Sequence, residues 1–240
     1  GLFEGGIRIS YGARALNEGG WQSLPELAFP GGALIGCDAG TLNTPKIKGT
    51  HTAMKSGMIA AEKVFFELEK SNSNTTLNDF KKTFLESWAG IELRKARNVR
   101  PSFKYGLALG MLYTGIDQIL LRGKAPWTLN HSQPDNLSLE NKKDCEPIKY
   151  PKPDGVLTFD KLTNVSFSST YHEENQPCHL KLTDDNIPIS NNFELYDSPE
   201  QRYCPAGVYE VLTENDKPKL QINSQNCIHC KTCDIKDPKQ

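Results

Sequence analysis

The clearest helical signal lies at residues 50–70. Met54, Met58, Ala61, Phe65 and Leu68 recur at steps of four and three, the period of one helix face. This predicts a helix starting near Gly49–Thr50, with Thr50 as its N-cap and the polar run SNSNTT at 71–76 as its end. Ahead of it, the glycine-bounded apolar run GGALIGC (31–37) predicts a buried strand, and CDAGTLNTPKIKG (37–49) a loop. Leu77, Phe80, Phe84, Leu85 and Trp88 share the face of a second predicted helix. It runs into the basic group Arg94, Lys95, Arg97 and Arg100, read as a solvated face, and closes at Pro101 or gives way there to a turn. The stretch GLALGMLYTGIDQILL (106–121) is the most apolar of the chain. It is too short to span a bilayer and carries Asp117. From Asn130 to Gly155, prolines and charges mark a connector, which places a domain boundary near Tyr150. The segments VLTFD, VSFSS, CHLKL, FELYD and VYEVL beyond it predict short strands.

Composition narrows the function. At 240 residues the chain allows one large domain or two modest ones. Its 28 Lys+Arg against 29 Asp+Glu give a net charge of −1, without the basic surplus of a nucleic-acid binder, so no nucleic-acid partner is expected. The chain opens on GLFEGGIRIS without an initiator methionine, signal or transit peptide and reads as a fragment.

Of seven cysteines, three lie in CIHCKTC. Cys227, Cys230 and Cys233 are spaced C-x₂-C-x₂-C, and Cys204 stands 22 intervening residues upstream, followed by Pro205. Four thiolates suit a [4Fe–4S] cube, one for each iron. The x₂ spacing lets one tight loop wrap three corners, and a remote Cys-Pro supplies the fourth. Structural zinc prefers paired knuckles and is the alternative. Hydroxyls at Tyr209 and Thr232 are placed to donate to the sulfurs and raise the potential, or else to pack in a strand and face water. His229 reads as a bystander on the loop, and Cys37, Cys145 and Cys178 as small buried hydrophobes.

A second constellation is the glycine-rich passage before the 50–70 helix. Gly36 and Gly40 allow close backbone approach to a ligand, with Asp38 between them. A helix beginning at Gly49, Thr50 and His51 points its positive end at an anionic group, such as a flavin edge. By itself this signal is weak. No G-x-G-x-x-G fingerprint accompanies it, so a dinucleotide site is incomplete in this chain.

Taken in order, YGARALNEGGWQSLP, PKIKGTHTAMKSG, YTGI, RGKAPWTL, EPIKYPKPDG, ENQPCHLKL, SPEQRYCPAGVYE and CIHCKTCDIKDP resemble segments of the electron transfer flavoprotein–ubiquinone oxidoreductase family over nearly the whole chain. The resemblance implies an α+β fold. Residues 1–149 would be the C-terminal part of an FAD-binding α/β region with a helical quinone and membrane-interface segment. Residues 150–240 would be a ferredoxin-like [4Fe–4S] domain with its tail truncated. It implies Cys204, Cys227, Cys230 and Cys233 as cluster ligands, Gly36–Gly40 and Gly49–His51 lining FAD, and Asn17 reaching its ribityl chain. Implied partners are reduced electron transfer flavoprotein, ubiquinone and, through 106–121, the matrix face of the mitochondrial inner membrane. Lys104, Arg122, Lys124 and Trp127 around that segment suit a membrane interface; a buried core helix is the other reading. The family's amino-terminal half and its last residues are absent, so the fragment alone should be inactive. No acid–base dyad or nucleophile is visible, as expected for electron transfer. A flavin-dependent prenyl reductase with a ferredoxin domain and a non-enzymatic zinc module are the competing readings.

Overall fold

The computed structural model describes residues 2–70, 77–173 and 175–239. The chain divides into two compact units. One is Leu16–Ser132; the other joins Gly1–Ala15 to Gln133–Gln240. The chain therefore changes unit at 132/133, ahead of the boundary expected near Tyr150. Residues 135–144 are held in the second unit by Lys236 Nζ, which donates to the Asp135 carbonyl at 3.0 Å, and by Lys142 Nζ, which donates to that of Phe193 at 2.9 Å.

In the unit Leu16–Ser132, the strand expected at 31–37 is only a minimal antiparallel hairpin, β1 (Ala28–Phe29) with β2 (Gly32–Ala33). Gly36–Ala39 then turns into a 3₁₀ helix. Gly36 adopts φ +64° and Gly40 φ +86°, which favours glycine at both and cuts the extended run short.

Helix α1 (Thr50–Lys70) follows. The Gly49 carbonyl accepts the first helical bond, from Ala53 N at 2.8 Å, so Gly49 is the cap and Thr50 the first helical residue. The 71–76 run expected to end this helix lies outside the described residues. The expected inward face is reversed. Met54, Met58, Phe65 and Leu68 are all more than half exposed, while Thr52, Ser56, Ile59 and Ala60 are buried. Small side chains win the inner face because they let the 36–41 loop come close. Ser56 Oγ accepts from Gly36 N at 2.8 Å, and Thr52 Oγ1 donates to the Thr41 carbonyl at 2.6 Å.

The second predicted helix is two helices, α2 (Phe80–Glu86) and α3 (Trp88–Ala96), broken where Ser87 Oγ caps Gly90 N. Phe80, Phe84, Ala89 and Leu93 form the core with Leu24, Leu27, Ile59 and Leu77, whereas Trp88 is half exposed. Pro101 lies within the short α4 (Val99–Ser102), in a first turn that tolerates its missing donor.

The basic group is not all solvated. Arg97 is buried, and its guanidinium donates to the carbonyls of Arg94, Gly123, Ala125 and Trp127 and to the Thr128 hydroxyl. It ties α3 to the segment after residue 122.

The apolar stretch forms α5 (Leu107–Gly115) and a π-helical turn, Ile116–Leu120. Gly110 packs against Phe103, where a Cβ would come within 2.7 Å of the ring. That contact turns the other side of the helix outward: Leu107, Leu109, Met111, Leu112, Ile119 and Leu120 are all at least 60% exposed. Asp117 is buried. No helix among the described residues is long and apolar enough to cross a membrane.

In the unit that joins Gly1–Ala15 to Gln133–Gln240, the helices are α6 (Lys161–Ser166), α7 (Glu194–Tyr196), α8 (Glu200–Tyr203) and α9 (Thr232–Lys236). Its one sheet among the described residues is the hairpin of β3 (Tyr209–Glu214) and β4 (Lys217–Ile222), in register Tyr209↔Ile222. Asn215 and Asp216, both at positive φ, make the turn that such two-residue hairpins favour.

Of the five expected strands, only VYEVL is one. VLTFD and CHLKL form no ladder, VSFSS overlaps the end of α6, and FELYD is helical. Their apolar alternation met no partner strand, and an unpaired strand leaves its backbone groups unsatisfied.

Candidate functional site

The four cysteines predicted to act together do meet, and the fold shows how. Helix α8 delivers Cys204, whose N–H donates to the Glu200 carbonyl at 3.2 Å. Lys161 Nζ fixes this turn by donating to the carbonyls of Gln201 and Cys204, both at 2.8 Å. The chain then makes a round trip through the β3–β4 hairpin. Asn223 N donates to the Val208 carbonyl at 2.7 Å, and Asn226 Nδ2 to that of Gly207 at 3.3 Å. The long gap between Cys204 and Cys227 is thus spent on a hairpin that returns to its start.

Within the triplet, His229 (φ +56°) and Lys231 (φ +64°) both adopt the left-handed conformation. These two reversals curl the loop, and His229 N–H donates to Cys227 Sγ at 3.4 Å.

Cys204 is buried with Ala206, Val208 and Tyr209 in a small core against which Cys227 and Cys233 pack. Burial pushes the Cys227 thiol up; the His229 N–H pulls it down, and the charges of Cys233, Cys230 and Cys204 push it up again. Burial is also the first cause that raises Tyr209, followed by its hydrogen bond to Cys233. Thr232 Oγ1 lies 3.3 Å from Cys230 Sγ. A cavity of about 230 Å³ opens among Cys227, Cys233, Tyr203, Tyr209 and Ile222.

All seven cysteines are free of disulfides. Four soft sulfurs converging at one place repel one another once ionised, and a cationic metal centre such as an iron–sulfur cluster resolves that. The donor set therefore fits a [4Fe–4S] cube. Of the three other cysteines, expected as buried hydrophobes, Cys145 and Cys178 are exposed and Cys37 is half-buried. None of them packs in a core cluster among the described residues.

The glycine-rich passage is assembled in the other unit. Asn17 lies against Gly40, where an added Cβ would come 3.2 Å from its Nδ2. Asn17 Oδ1 accepts from Gly19 N at 3.0 Å. Gly36 and Gly40 are buried and Asp38 is exposed. Gly49 is pressed against Leu42, within 2.9 Å of a would-be Cβ.

His51, at the helix start, is engaged by protein. Its Nε2 pairs with Glu92 Oε1 at 2.8 Å, and its ring stacks on Trp88. Burial would raise the Glu92 carboxyl, but hydrogen bonds from His51, Asn43 and Lys46 and the Lys46 charge hold it down at about 2. Sequence reasoning missed Thr41. Its hydroxyl, next to Gly40, is buried without a partner, the kind of orphan that a bound polar group would satisfy.

It also missed what surrounds His229. The rings of His172, His179 and His229 lie 4.9–5.3 Å apart in all three pairs. No spacing rule joins 172, 179 and 229, so this group becomes visible only in the fold.

Comparison with known proteins bears on both regions. Residues 155–240 match the family model for the 4Fe-4S domain of electron transfer flavoprotein-ubiquinone oxidoreductase. Proteins named mitochondrial electron transfer flavoprotein-ubiquinone oxidoreductase are similar over almost all of this chain. The Mus musculus protein is 56% identical and the Homo sapiens protein 55%, each over 99% of this chain and 40% of its own length. The Arabidopsis thaliana protein is 54% identical over 100% of this chain and 38% of its own. The chain thus spans about two fifths of the length of these relatives.

Proposed function

Because the chain is related along its whole length to the electron transfer flavoprotein-ubiquinone oxidoreductases, we propose that it is the part of such an enzyme that holds the [4Fe–4S] cluster and contributes to the FAD and membrane-facing regions. The whole protein would pass electrons from reduced electron transfer flavoprotein to ubiquinone at the matrix face of the mitochondrial inner membrane. The observation that carries this reading is the packing of Cys227 and Cys233, the ends of the C-x₂-C-x₂-C loop, against the small core that holds Cys204, all inside the matched segment.

In this reading the four cysteines hold the cluster, which when bound supplies one-electron transfer. The chain's own task is to position and tune. The hairpin brings the remote ligand back, and the left-handed residues at 229 and 231 curl the loop, with the His229 N–H aimed at Cys227 Sγ. The hydroxyls of Tyr209 and Thr232 supply donors to sulfur that favour the more negative reduced state. Backbone at 36–40, the Asn17 amide, the orphan Thr41 hydroxyl and the start of α1 at Gly49, Thr50 and His51 would hold FAD. His51 contributes there through its backbone, since its ring belongs to Glu92. Asp38 sits on the exposed side of the same turn. The leucines of α5 would seat in the membrane interface. Lys104, Arg122 and Lys124 would face headgroups, and Trp127, whose Nε1 donates to Tyr113 Oη at 2.6 Å, the boundary.

The deciding measurement is the visible spectrum of the full-length protein purified anaerobically, with iron and sulfide counted. Broad absorption near about 400 nm that dithionite bleaches is expected, and Cys230→Ser should abolish it. A colourless, zinc-loaded protein would reject the cluster. Reduction of ubiquinone by electron transfer flavoprotein separates this enzyme from a prenyl reductase. Leu109→Glu with Leu120→Glu should leave the cluster spectrum intact and release the protein from liposomes in flotation; unchanged flotation would place the membrane contact elsewhere.

A further inference from the structure

We propose that His172, His179 and His229 form a second metal site beside the cysteine loop, one that takes a borderline divalent ion of the Zn²⁺ class through imidazole nitrogens. The ring centres are 5.3 Å apart for His172–His179, 5.1 Å for His172–His229 and 4.9 Å for His179–His229. Three imidazoles on one tetrahedral ion, with metal–nitrogen bonds of about 2.0–2.1 Å, place their ring centres about 5 Å apart; the ring separations match that spacing, and the imidazole ligand atoms that already converge are those of His179 and His229. The ring planes of His172 and His179 are nearly parallel, 19° apart. Rotation of exposed side chains must therefore aim the lone pairs at one point. Ligand atoms of His179 and His229 already lie within 4.8 Å of each other and of Cys227 Sγ.

His172 is set up as a ligand by its partner. Its Nε2 lies 2.9 Å from the Cys227 carbonyl oxygen. That oxygen can only accept, so Nε2 carries the proton and Nδ1 keeps the lone pair. Fixing a histidine through its other nitrogen is how metal-binding imidazoles are oriented. His179 and His229 are exposed and His172 is half-buried, which leaves an entry path and room for a water as fourth ligand. The nearby Lys231 ammonium is paired with Asp234 at 3.4 Å. Imidazole donors suit Zn²⁺, Ni²⁺ and Cu²⁺ and disfavour Mg²⁺ and Ca²⁺. Cys227 remains with the iron cluster, so its backbone carbonyl, not its sulfur, joins the two centres.

The test is a zinc chloride titration of the cluster-loaded full-length protein by calorimetry under anaerobic conditions, with iron and sulfide counted before and after. One zinc per chain is expected, with iron and sulfide unchanged. Affinity should fall about tenfold or more in His179→Gln and again in His172→Gln, and should not fall in Lys231→Gln, whose charge acts on His179. His179 is exposed, so its variant keeps the fold, and the cluster absorption verifies this. Undiminished zinc binding in His179→Gln would overturn the proposal. So would zinc uptake matched by iron loss, because the ion would then be taking cluster thiols. Wild-type protein free of iron would count against the cluster reading alone, and the His179→Gln comparison would still decide the imidazole site.

Discussion

The two compact units bury different chemistry. In Leu16–Ser132 the main core is hydrocarbon, with Phe80, Phe84, Leu27 and Leu93 almost fully buried, while polar groups such as Arg97, Thr52 and Ser56 are buried elsewhere in the unit. In the unit carrying the cysteines, the small core is Cys204, Ala206, Val208 and Tyr209, with Cys227 and Cys233 against it. One interior is held by transfer of apolar surface from water; the other is gathered around sulfur and, under the proposed function, would gain stability when the cluster is bound. The difference teaches that cofactor loss should damage the two units unequally.

The sharpest way to break this comparison is to prevent cluster assembly. Cys230→Ser should cost the cysteine unit most of its hydrogen-exchange protection around 200–236, while α2 and α3 keep theirs. Equal loss in both would refute separate stabilisation. The converse variant, Phe84→Ala, should destabilise the helical unit by about 3–5 kcal/mol in denaturant melts and leave the cluster spectrum unaltered.

Finer variants sharpen the sulfur side. Thr232→Val and Tyr209→Phe each remove one donor to sulfur. Each should lower the cluster potential by about 40 mV, the equivalent of about 1 kcal/mol for one electron. Redox titration reads this, and an unchanged potential would mean that the hydroxyl does not serve the cluster.

The smallest effect belongs to Glu92. Its carboxyl is held at about 2 in the fold, below the ordinary 4.5. It therefore contributes stability that is fully present above that ordinary value and is lost as pH falls from about 4.5 to about 2. Glu92→Gln should flatten that part of the pH–stability curve for the helical unit. A slope equal to that of the wild type would assign it to other carboxylates.

What could be read in advance was what is local. The C-x₂-C-x₂-C loop declares itself within seven residues, and the period of 54–68 marks the body of α1. Which face of α1 turns inward did not follow, because periodicity marks two opposite faces. Here small side chains at Thr52, Ser56 and Ala60 pack inside while Met54 and Phe65 stay outside. Segments such as CHLKL have strand composition, but only 208–212 has a return strand to pair with. Arg97 looked like one more surface charge; five acceptors spread over 94–128 take it inside. The histidine group required three distant segments to meet.

Residues before Leu16 are stitched to partners far along the chain. Arg8 Nη1 donates to Asn164 Oδ1 at 2.7 Å, Tyr11 N and Oη donate to the carbonyls of Phe167 and Pro205, and Ala15 N donates to that of Cys230. During synthesis this opening strap emerges long before anything it can bind. It must wait, unsatisfied, through the making of the whole helical unit, and only arrival of the last cysteines lets it dock. The cysteine-bearing lobe thus closes only after its last cysteines have been made, and a polypeptide started at residue 133 would lack its clasp.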